Sequence, residues 1–282
     1  MIDYKTTHRV PFIFFVFFLM GLAAYAVILV FHPVMYDRIS LEDSFVENLT
    51  ALSLFGCGLL LLFGGAKSSK SQVRKIALIV MGVVFLWAAG EEISWGQRIF
   101  DWETAESWKE INDQDETNIH NINKSFFDRL VDRGTIAFVF VTAVLLSFGY
   151  RDFFGIPVPS YFIILAFAIT PFYHQYRTSG FDYFYLTYIP LGILLLRSVL
   201  VKELKLAMST VITLVVVFLI GVLHTTFSEN FPSHNNSAHE IREFLFSLCC
   251  LAYGWEIYSY KADKDHCYIN EKAGPMWNTV GN

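Results

Sequence analysis

Long apolar stretches recur along almost the whole chain, and they constrain its fold more than any other feature. A helix that crosses the hydrocarbon core of a bilayer needs about 20 mostly apolar residues. Eight stretches of roughly this kind lie at about 11–31, 45–65, 76–97, 135–150, 157–173, 183–200, 207–226 and 240–260. The sequence therefore predicts an all-α, polytopic membrane bundle of about eight transmembrane helices.

The composition agrees with a membrane protein, because 54% of the 282 residues are hydrophobic and only 17% are charged. Soluble domains are about 25% charged. The net charge of −5 argues against a nucleic-acid partner, which would require a basic face. Cys57, Cys249 and Cys250 lie within predicted spans and Cys267 follows the last one, so no disulfide is expected on the outer side.

Basic residues in the short loops predict the orientation of the bundle, because lysine and arginine collect in cytoplasmic loops. The basic loop residues are Lys67, Lys70, Arg74 and Lys75 after the second span, and Arg197, Lys202 and Lys205 after the sixth. With these loops in the cytoplasm and an even number of spans, both termini are cytoplasmic. We expect a single transmembrane domain over 1–260, with a long outer loop at about 99–134, and a polar cytoplasmic tail over 261–282.

Ionisable residues gather at the predicted outer ends of the spans, and such residues at membrane depth indicate a functional site by default. In the first cluster, Glu47 lies inside the second apolar stretch, one helical turn after Asp43. A helix N-terminal cap explains Asp43 and Ser44. It does not explain Glu47, which we take as a candidate catalytic residue.

The second cluster is GEEISWGQR over 90–98, which ends a nonpolar run that starts at Ile76. On one continuous helix, Glu91, Trp95 and Arg98 would share a face. The C-terminus of a helix favours cations, so two adjacent glutamates there require compensation by a bound cation or by Arg98. The alternative is an interfacial set of salt bridges with Trp95 in the aromatic belt.

The third cluster lies in the predicted outer loop, where Glu116 and His120 are four residues apart. If this segment is helical, the two side chains share a face. A carboxylate and an imidazole at that spacing can ligate one metal ion or transfer a proton. The alternative is a solvated polar loop.

The fourth cluster opens the last predicted span, where His239 and Glu243 are four residues apart and Glu240 lies beside them. The pattern is similar to the HExxH helix of zinc proteases, with glutamate in place of the second histidine. The alternative is an ordinary helix start, capped by Ser237 and complemented by acidic residues.

These motifs together resemble a family of uncharacterised bacterial multi-pass membrane proteins. The resemblance covers about 42–121 and rests on the segment 90–98, on the pattern Glu116-x-Asn118-x-His120-Asn121, and on the preceding helix start with Glu42, Asp43 and Glu47. It implies a shared site and residence in the bacterial inner membrane.

A more distant similarity links the chain to alkaline ceramidases and related seven-helix membrane hydrolases. Members of that superfamily cut lipid amides with a His-ligated zinc ion. Glu47-Asn48 and the pair His234 and His239 carry this similarity. The chain departs from the superfamily in its predicted eight spans, and its third span lacks the expected serine and histidine.

The motifs favour a metal-dependent hydrolase or transferase that acts on a lipid or lipid-linked substrate at the outer face of the membrane. A divalent metal, zinc or similar, would activate water and polarise the scissile group. The candidate metal ligands are Glu91, Glu116, His120, His239 and Glu243; the candidate catalytic residues are Glu92, Glu240, Arg98 and Glu47; and the candidate substrate-binding residues are Trp95, Gln97, Asn118 and Asn121. Glu92 or Glu240 would act as the general base, and Arg98 would hold a phosphate or an oxyanion.

Two other functions stay open. A proton- or cation-coupled transporter would also use carboxylates within the membrane, although transporters usually place their sites near the midplane and contain repeats. A membrane sensor or scaffold would use the acidic outer loop, but it would not require Glu47, Glu91 or Glu92.

Overall fold

The computed structural model describes residues 9–40, 45–67, 71–100, 102–110, 112, 117–173, 186–228 and 234–260. This part of the chain is all-α apart from one short hairpin. The helices are α1 (Arg9–Phe31), α2 (Pro33–Ser40), α3 (Phe45–Lys67), α4 (Gln72–Glu92), α5 (Gln97–Phe100), α6 (Glu106–Lys109), α7 (Lys124–Ser147), α8 (Tyr161–Ile169), α9 (Tyr188–Leu200), α10 (Leu204–Ser228) and α11 (His234–Ser259). Single 3₁₀ turns cover Ser94–Gly96, His120–Asn123 and Thr170–Tyr173. The antiparallel strands β1 (Asp152–Phe153) and β2 (Ile156–Pro157) form the hairpin, in which Asp152 lies opposite Pro157.

The predicted all-α, multi-pass membrane class is confirmed by the helices. Five helical segments in the described part of the chain are long and apolar enough to cross a membrane: Arg9–Phe31, Phe45–Lys67, Gln72–Glu92, Phe126–Ser147 and Leu204–Leu223. Two shorter apolar helices cover Tyr161–Phe172 and Tyr188–Leu200. Each of the eight predicted stretches contains a helix, but the count of eight spans stays a prediction.

Two helix boundaries differ from the predicted ones in ways that matter for the site. Helix α7 begins at Lys124, so the last part of the predicted outer loop is helical and carries Asp128 and Asp132. The side chain of Asn123 accepts a hydrogen bond from the Phe126 amide and caps this helix, and such a cap satisfies an amide that has no partner within the helix.

The predicted continuous helix through Arg98 was wrong, because α4 ends at Glu92. Ser94 and Trp95 adopt left-handed backbone angles, with φ of 47° and 57°, and Gly96 follows at 84°. These angles are incompatible with a right-handed helix. The predicted common helical face of Glu91, Trp95 and Arg98 is therefore absent.

Contacts between helices show which ends lie together. Helices α3 and α11 run parallel, because the Cys57 thiol donates to the Cys250 carbonyl and, further along both helices, Lys67 contacts Tyr258. Helix α7 also runs parallel to α11, since Asp128 meets His239 and the Phe138 ring lies 5.8 Å from that of Tyr253.

Helix α4 runs antiparallel to α3, and the two approach closely where Gly58 faces Gly82. The N-terminal ends of α3, α7 and α11 therefore lie with the C-terminal end of α4 at one end of the bundle. We call this end, which holds Glu47, Glu91, Asp128 and His239, the acidic end. The opposite end holds Lys67 and Arg74, and we call it the basic end.

Helix α8 forms the centre of the core, and all nine of its residues are buried. It packs against α1, α7, α10 and α11, which explains why its sequence is apolar on every face. At its start, the Tyr161 hydroxyl contacts Thr210 at 2.6 Å and donates to the Leu194 carbonyl at 3.0 Å. Helix α8 therefore connects α1 and α10 to α7 and α11, the two helices that carry the ionic residues described below.

The close approach of α3 and α4 predicts the effect of an added methyl group. A Cβ on Gly82 would lie 2.8 Å from Leu62 and 3.0 Å from the Gly58 carbonyl oxygen. We expect Gly82→Ala to lower the unfolding temperature in detergent, because overpacking costs about 1–3 kcal/mol. Gly21→Ala is the matched control, since a Cβ there meets nothing within 4 Å. It should leave stability unchanged or raise it through helix propensity; equal effects of the two variants would contradict this packing.

Candidate functional site

Two polar clusters occupy the acidic end, and they have different characters. The first, which we call the turn network, joins the end of α4 to the segment that leads into α7. The second, which we call the ionic cluster, joins the first turns of α7 to those of α11. The turn network satisfies its polar atoms internally, whereas the ionic cluster concentrates charge and candidate metal donors.

Glu91 is the centre of the turn network. Its side chain is buried, with the residue only 2% exposed. One carboxylate oxygen accepts from the Trp95 indole N–H at 2.7 Å, and the other accepts from the Ile119 amide at 2.6 Å. Glu91 thus attaches both the left-handed turn after α4 and the later segment at 117–119 to the end of the helix.

Gln97 and Asn118 extend the turn network. The side-chain oxygen Oε1 of Gln97 accepts from the Thr117 amide at 2.8 Å, and its side-chain Nε2 donates to the Thr104 hydroxyl. Buried Asn118 donates to the Ser94 hydroxyl at 3.1 Å and accepts from Asn112 at 3.0 Å. These hydrogen bonds offset the left-handed backbone of Ser94, a conformation that costs about 1–2 kcal/mol per residue.

The ionic cluster is organised around Arg242 of α11. Its Nη1 donates to Asp132 Oδ1 at 2.9 Å, and its Nη2 donates to Asp128 Oδ1 at 3.0 Å. Asp132 and Arg242 are each about 1% exposed. The spacing of the carboxylates follows from sequence, since residues four apart on α7 share a face.

His239 and Glu243 lie beside Arg242 on α11. The Nε2 atom of His239 is 2.6 Å from Asp128 Oδ1 and 3.7 Å from Glu243 Oε1. Its Nδ1 atom is 3.6 Å from Glu240 Oε1. Positions 239 and 243 are one turn apart, and the predicted common face of this pair is confirmed because both lie in α11.

Three atoms of the ionic cluster form a group that can hold a metal ion. Asp128, His239 and Glu243 each offer one ligand atom, and these atoms all lie within 4.8 Å of one another. Among the described residues this is the one such group of three or more histidine, cysteine or acidic residues. Imidazole nitrogen and carboxylate oxygen are both donor types that bind zinc in proteins. We call these three residues the triad.

The guanidinium group of Arg242 lies against the three ligand atoms of the triad, where a metal ion would bind. Its Nη2 atom lies 2.9 Å from His239 Nε2, 3.0 Å from Asp128 Oδ1 and 3.1 Å from Glu243 Oε1. A guanidinium nitrogen therefore contacts all three candidate ligand atoms. The donor types and their convergence suit a divalent ion, but a bound ion requires this nitrogen to move.

The predicted site residues fall into three sets. His239, Glu240 and Glu243 come together with one another, whereas the described polar contacts of Glu91, Trp95, Gln97 and Asn118 place these four in the turn network. Glu47 and Glu92 are half-buried near the acidic ends of α3 and α4. Glu116 and the side chains of Arg98, His120 and Asn121 lie outside the described residues.

Sequence reasoning missed Asp128, Asp132 and Arg242. A signal for the two aspartates exists, because they are four apart and directly precede an apolar run that begins at Thr135. Both aspartates fall within the predicted outer loop at about 99–134, and acidic residues in a solvated loop do not by themselves indicate a site. No comparable signal marks Arg242, whose role depends on the approach of α7 to α11.

In comparisons with known proteins, no family model, curated protein or solved structure matches the chain.

The turn network predicts that Glu91 orders the segment before α7. We expect Glu91→Gln to increase hydrogen exchange of the Ile119 amide, because one accepting oxygen becomes a donor and a charge-assisted bond worth about 1.5–3 kcal/mol is lost. Hydrogen-exchange mass spectrometry of peptides covering 117–123 measures this. Glu103→Gln, at an exposed position, should leave that exchange unchanged; unchanged exchange in both variants would contradict the proposed role of Glu91.

Proposed function

We propose that this protein is a membrane-embedded hydrolase or transferase that uses a divalent metal ion. Its substrate would be a lipid or a lipid-linked molecule, and its site would be the acidic end of the bundle. The observation that supports this proposal most is the convergence of ligand atoms from Asp128, His239 and Glu243 within 4.8 Å of one another.

Each residue of the ionic cluster has a chemical part in this proposal. The triad would hold the ion, which when bound would activate water and polarise the scissile group. Glu240 lies 3.6 Å from His239 Nδ1. A carboxylate on that side favours a proton on Nδ1 and leaves the Nε2 lone pair for a metal. In this proposal Glu240 is a positioning residue, which leaves Glu92 of the two general-base candidates, Glu92 and Glu240, that the sequence offers.

Arg242 and Asp132 would contribute charge and position. Arg242 crosses from α11 to two aspartates of α7, so it fixes the distance between the two helices that supply the triad. A catalytic metal site requires its ligands to be held within a few tenths of an ångström, and buried ion pairs with hydrogen bonds provide this.

An amphiphilic substrate fits the surroundings of the site. Large aromatic side chains are exposed just after α4, where Trp95 is 47%, Phe100 70% and Trp102 46% exposed. The rings of Phe100 and Trp102 stack at 5.6 Å. Exposed aromatic residues at a helix end are typical of the boundary between lipid and water, so the acidic end would meet lipid headgroups.

A transporter is the second candidate, and Glu256 is the observation that favours it. This half-buried carboxylate accepts from the Ser160 amide at 2.9 Å, and it lies on the same helix as Glu243 but toward the basic end. At about 1.5 Å of rise per residue, roughly 20 Å separates the two. The intervening residues of α11 contain no acidic or basic side chain, which favours the enzyme.

Metal analysis tests the proposed function directly. We expect the full-length protein, purified in detergent, to hold zinc or a similar ion at near-stoichiometric amounts by elemental mass spectrometry. Asp128→Asn, His239→Gln and Glu243→Gln should each lose most of it, because each removes one of three ligands. The matched control is Glu106→Gln, whose side chain is 85% exposed.

Activity completes this test. The metal-loaded protein should convert a component of a total bacterial lipid extract, and mass spectrometry should detect the product. The three triad variants should form no product. Their unfolding temperatures in detergent should stay close to that of the wild type, which would show that the bundle is still folded. A folded wild-type protein that holds no metal, even after incubation with zinc or manganese, would overturn the metal-dependent function.

Orientation is tested separately, since we also propose that the acidic end faces the periplasm of a bacterial inner membrane. In a Cys267→Ser background, a membrane-impermeant maleimide should label Glu106→Cys in intact spheroplasts. It should label Lys202→Cys only after lysis, and the buried cysteines of the helices should stay unlabelled. The reverse pattern would place the site in the cytoplasm.

A further inference from the structure

We propose that Arg242 is a built-in cation that occupies the triad in the metal-free protein, and that a divalent ion binds only by displacing its guanidinium group. This inference rests on the proposed function, and it concerns how the same site is held and loaded. A metal site that contains its own cation binds metal more weakly than its ligands alone would allow.

The Nη2 atom of Arg242 lies at the position that a metal ion would occupy. Arg242 Nη2 is nearly equidistant from the three ligand atoms, at 2.9, 3.0 and 3.1 Å. A zinc ion would bind the same atoms at about 2.0–2.2 Å. It would then touch Nη2, and two cations in contact within a buried site repel each other strongly. Guanidinium and metal are therefore alternatives at one position.

The triad requires positive charge, because two of its three ligand atoms are carboxylate oxygens that lie within 4.8 Å of each other. Asp128 Oδ1 lies 2.6 Å from His239 Nε2, a hydrogen bond when that nitrogen carries a proton, and Glu243 Oε1 lies 3.7 Å from the same nitrogen. Among the described side chains, the ionic cluster brings four carboxylates together with one guanidinium and one imidazole. Acidic groups at these distances repel unless a positive charge lies between them.

Asp132 explains why Arg242 would compete effectively with a metal ion for the triad. It holds Nη1 at 2.9 Å, and its side chain is 2% exposed, while Arg242 belongs to the same helix as two triad residues. A group tethered this close has a high effective concentration at the site. A metal ion must therefore displace a ligand that never diffuses away.

The test compares metal affinity with and without the guanidinium, in the full-length protein in detergent. Co²⁺ is the probe, because its visible absorption reports binding, and Zn²⁺ competition provides the affinity. We expect Arg242→Gln to lower the Co²⁺ dissociation constant by about 10- to 100-fold, within the usual range of coupling between two ligands. Arg74→Gln is the matched control: it removes a buried arginine that donates to the carbonyls of Ile257 and Tyr260 at the basic end.

Thermal unfolding provides a second readout. Without metal, Arg242→Gln should unfold at a lower temperature than the wild type, because buried carboxylates lose their cation. Saturating Co²⁺ should raise the unfolding temperature of Arg242→Gln more than that of the wild type, since a ligand of the folded state stabilises it according to its affinity. Adding His239→Gln to Arg242→Gln should abolish that rise.

The outcomes separate this inference from the proposed function. Tighter Co²⁺ binding by Arg242→Gln, with Arg74→Gln equal to the wild type, supports the inference. Equal or weaker binding by Arg242→Gln overturns the inference alone, while metal binding by the wild type still supports the proposed function. Absence of Co²⁺ binding in all folded variants overturns both.

If Arg242→Gln does not fold, Asp132→Asn tests the same inference. Asp132→Asn leaves Arg242 and all three triad residues in place but weakens the hold on Nη1. It should tighten Co²⁺ binding by a smaller factor, of several-fold, and an unchanged or weaker affinity would overturn the inference.

Discussion

The buried ion pairs of Arg242 with Asp128 and Asp132 are the interaction on which the acidic end depends. Together with the contact between His239 and Asp128, they connect the first turns of α7 to those of α11. Burying a charge is costly unless it is paired and hydrogen-bonded, and removing one partner leaves the other at a high cost. The pairing therefore selects one register of α7 against α11, and that register brings Asp128 to His239.

The turn network supplies the other constraint, because it determines where α7 starts. Glu91 holds the Ile119 amide, Asn118 holds Ser94, and four residues after Ile119 the Asn123 side chain caps α7. The segment GEEISWGQR is thus connected to the ionic cluster through the chain itself. The described side chains of this segment lie outside the triad, and the segment helps to set where α7 begins.

Sequence reasoning succeeded where the signal was local. Apolar length located the helices, and the one-turn spacing of His239 and Glu243 placed both on one face of α11. It failed where a partner was distant: Asp128 approaches His239 across 111 positions of the chain, and no spacing rule reaches that far. The end of α4 at Glu92 was also missed, because it depends on hydrogen bonds from Trp95 and Ile119 and not on a proline.

An arginine and the three candidate metal donors would lie at one point for a common reason. Donor atoms that converge to bind a divalent ion repel one another until the ion arrives, and within a membrane the cost of that repulsion is high. A bundle that assembles before it binds metal needs a temporary positive charge at the same place. Arg242 supplies positive charge from the helix that carries His239 and Glu243, so the group that would weaken metal binding would also let the site form. A scaffold that binds partners through a solvated acidic loop would have no need for such an arrangement.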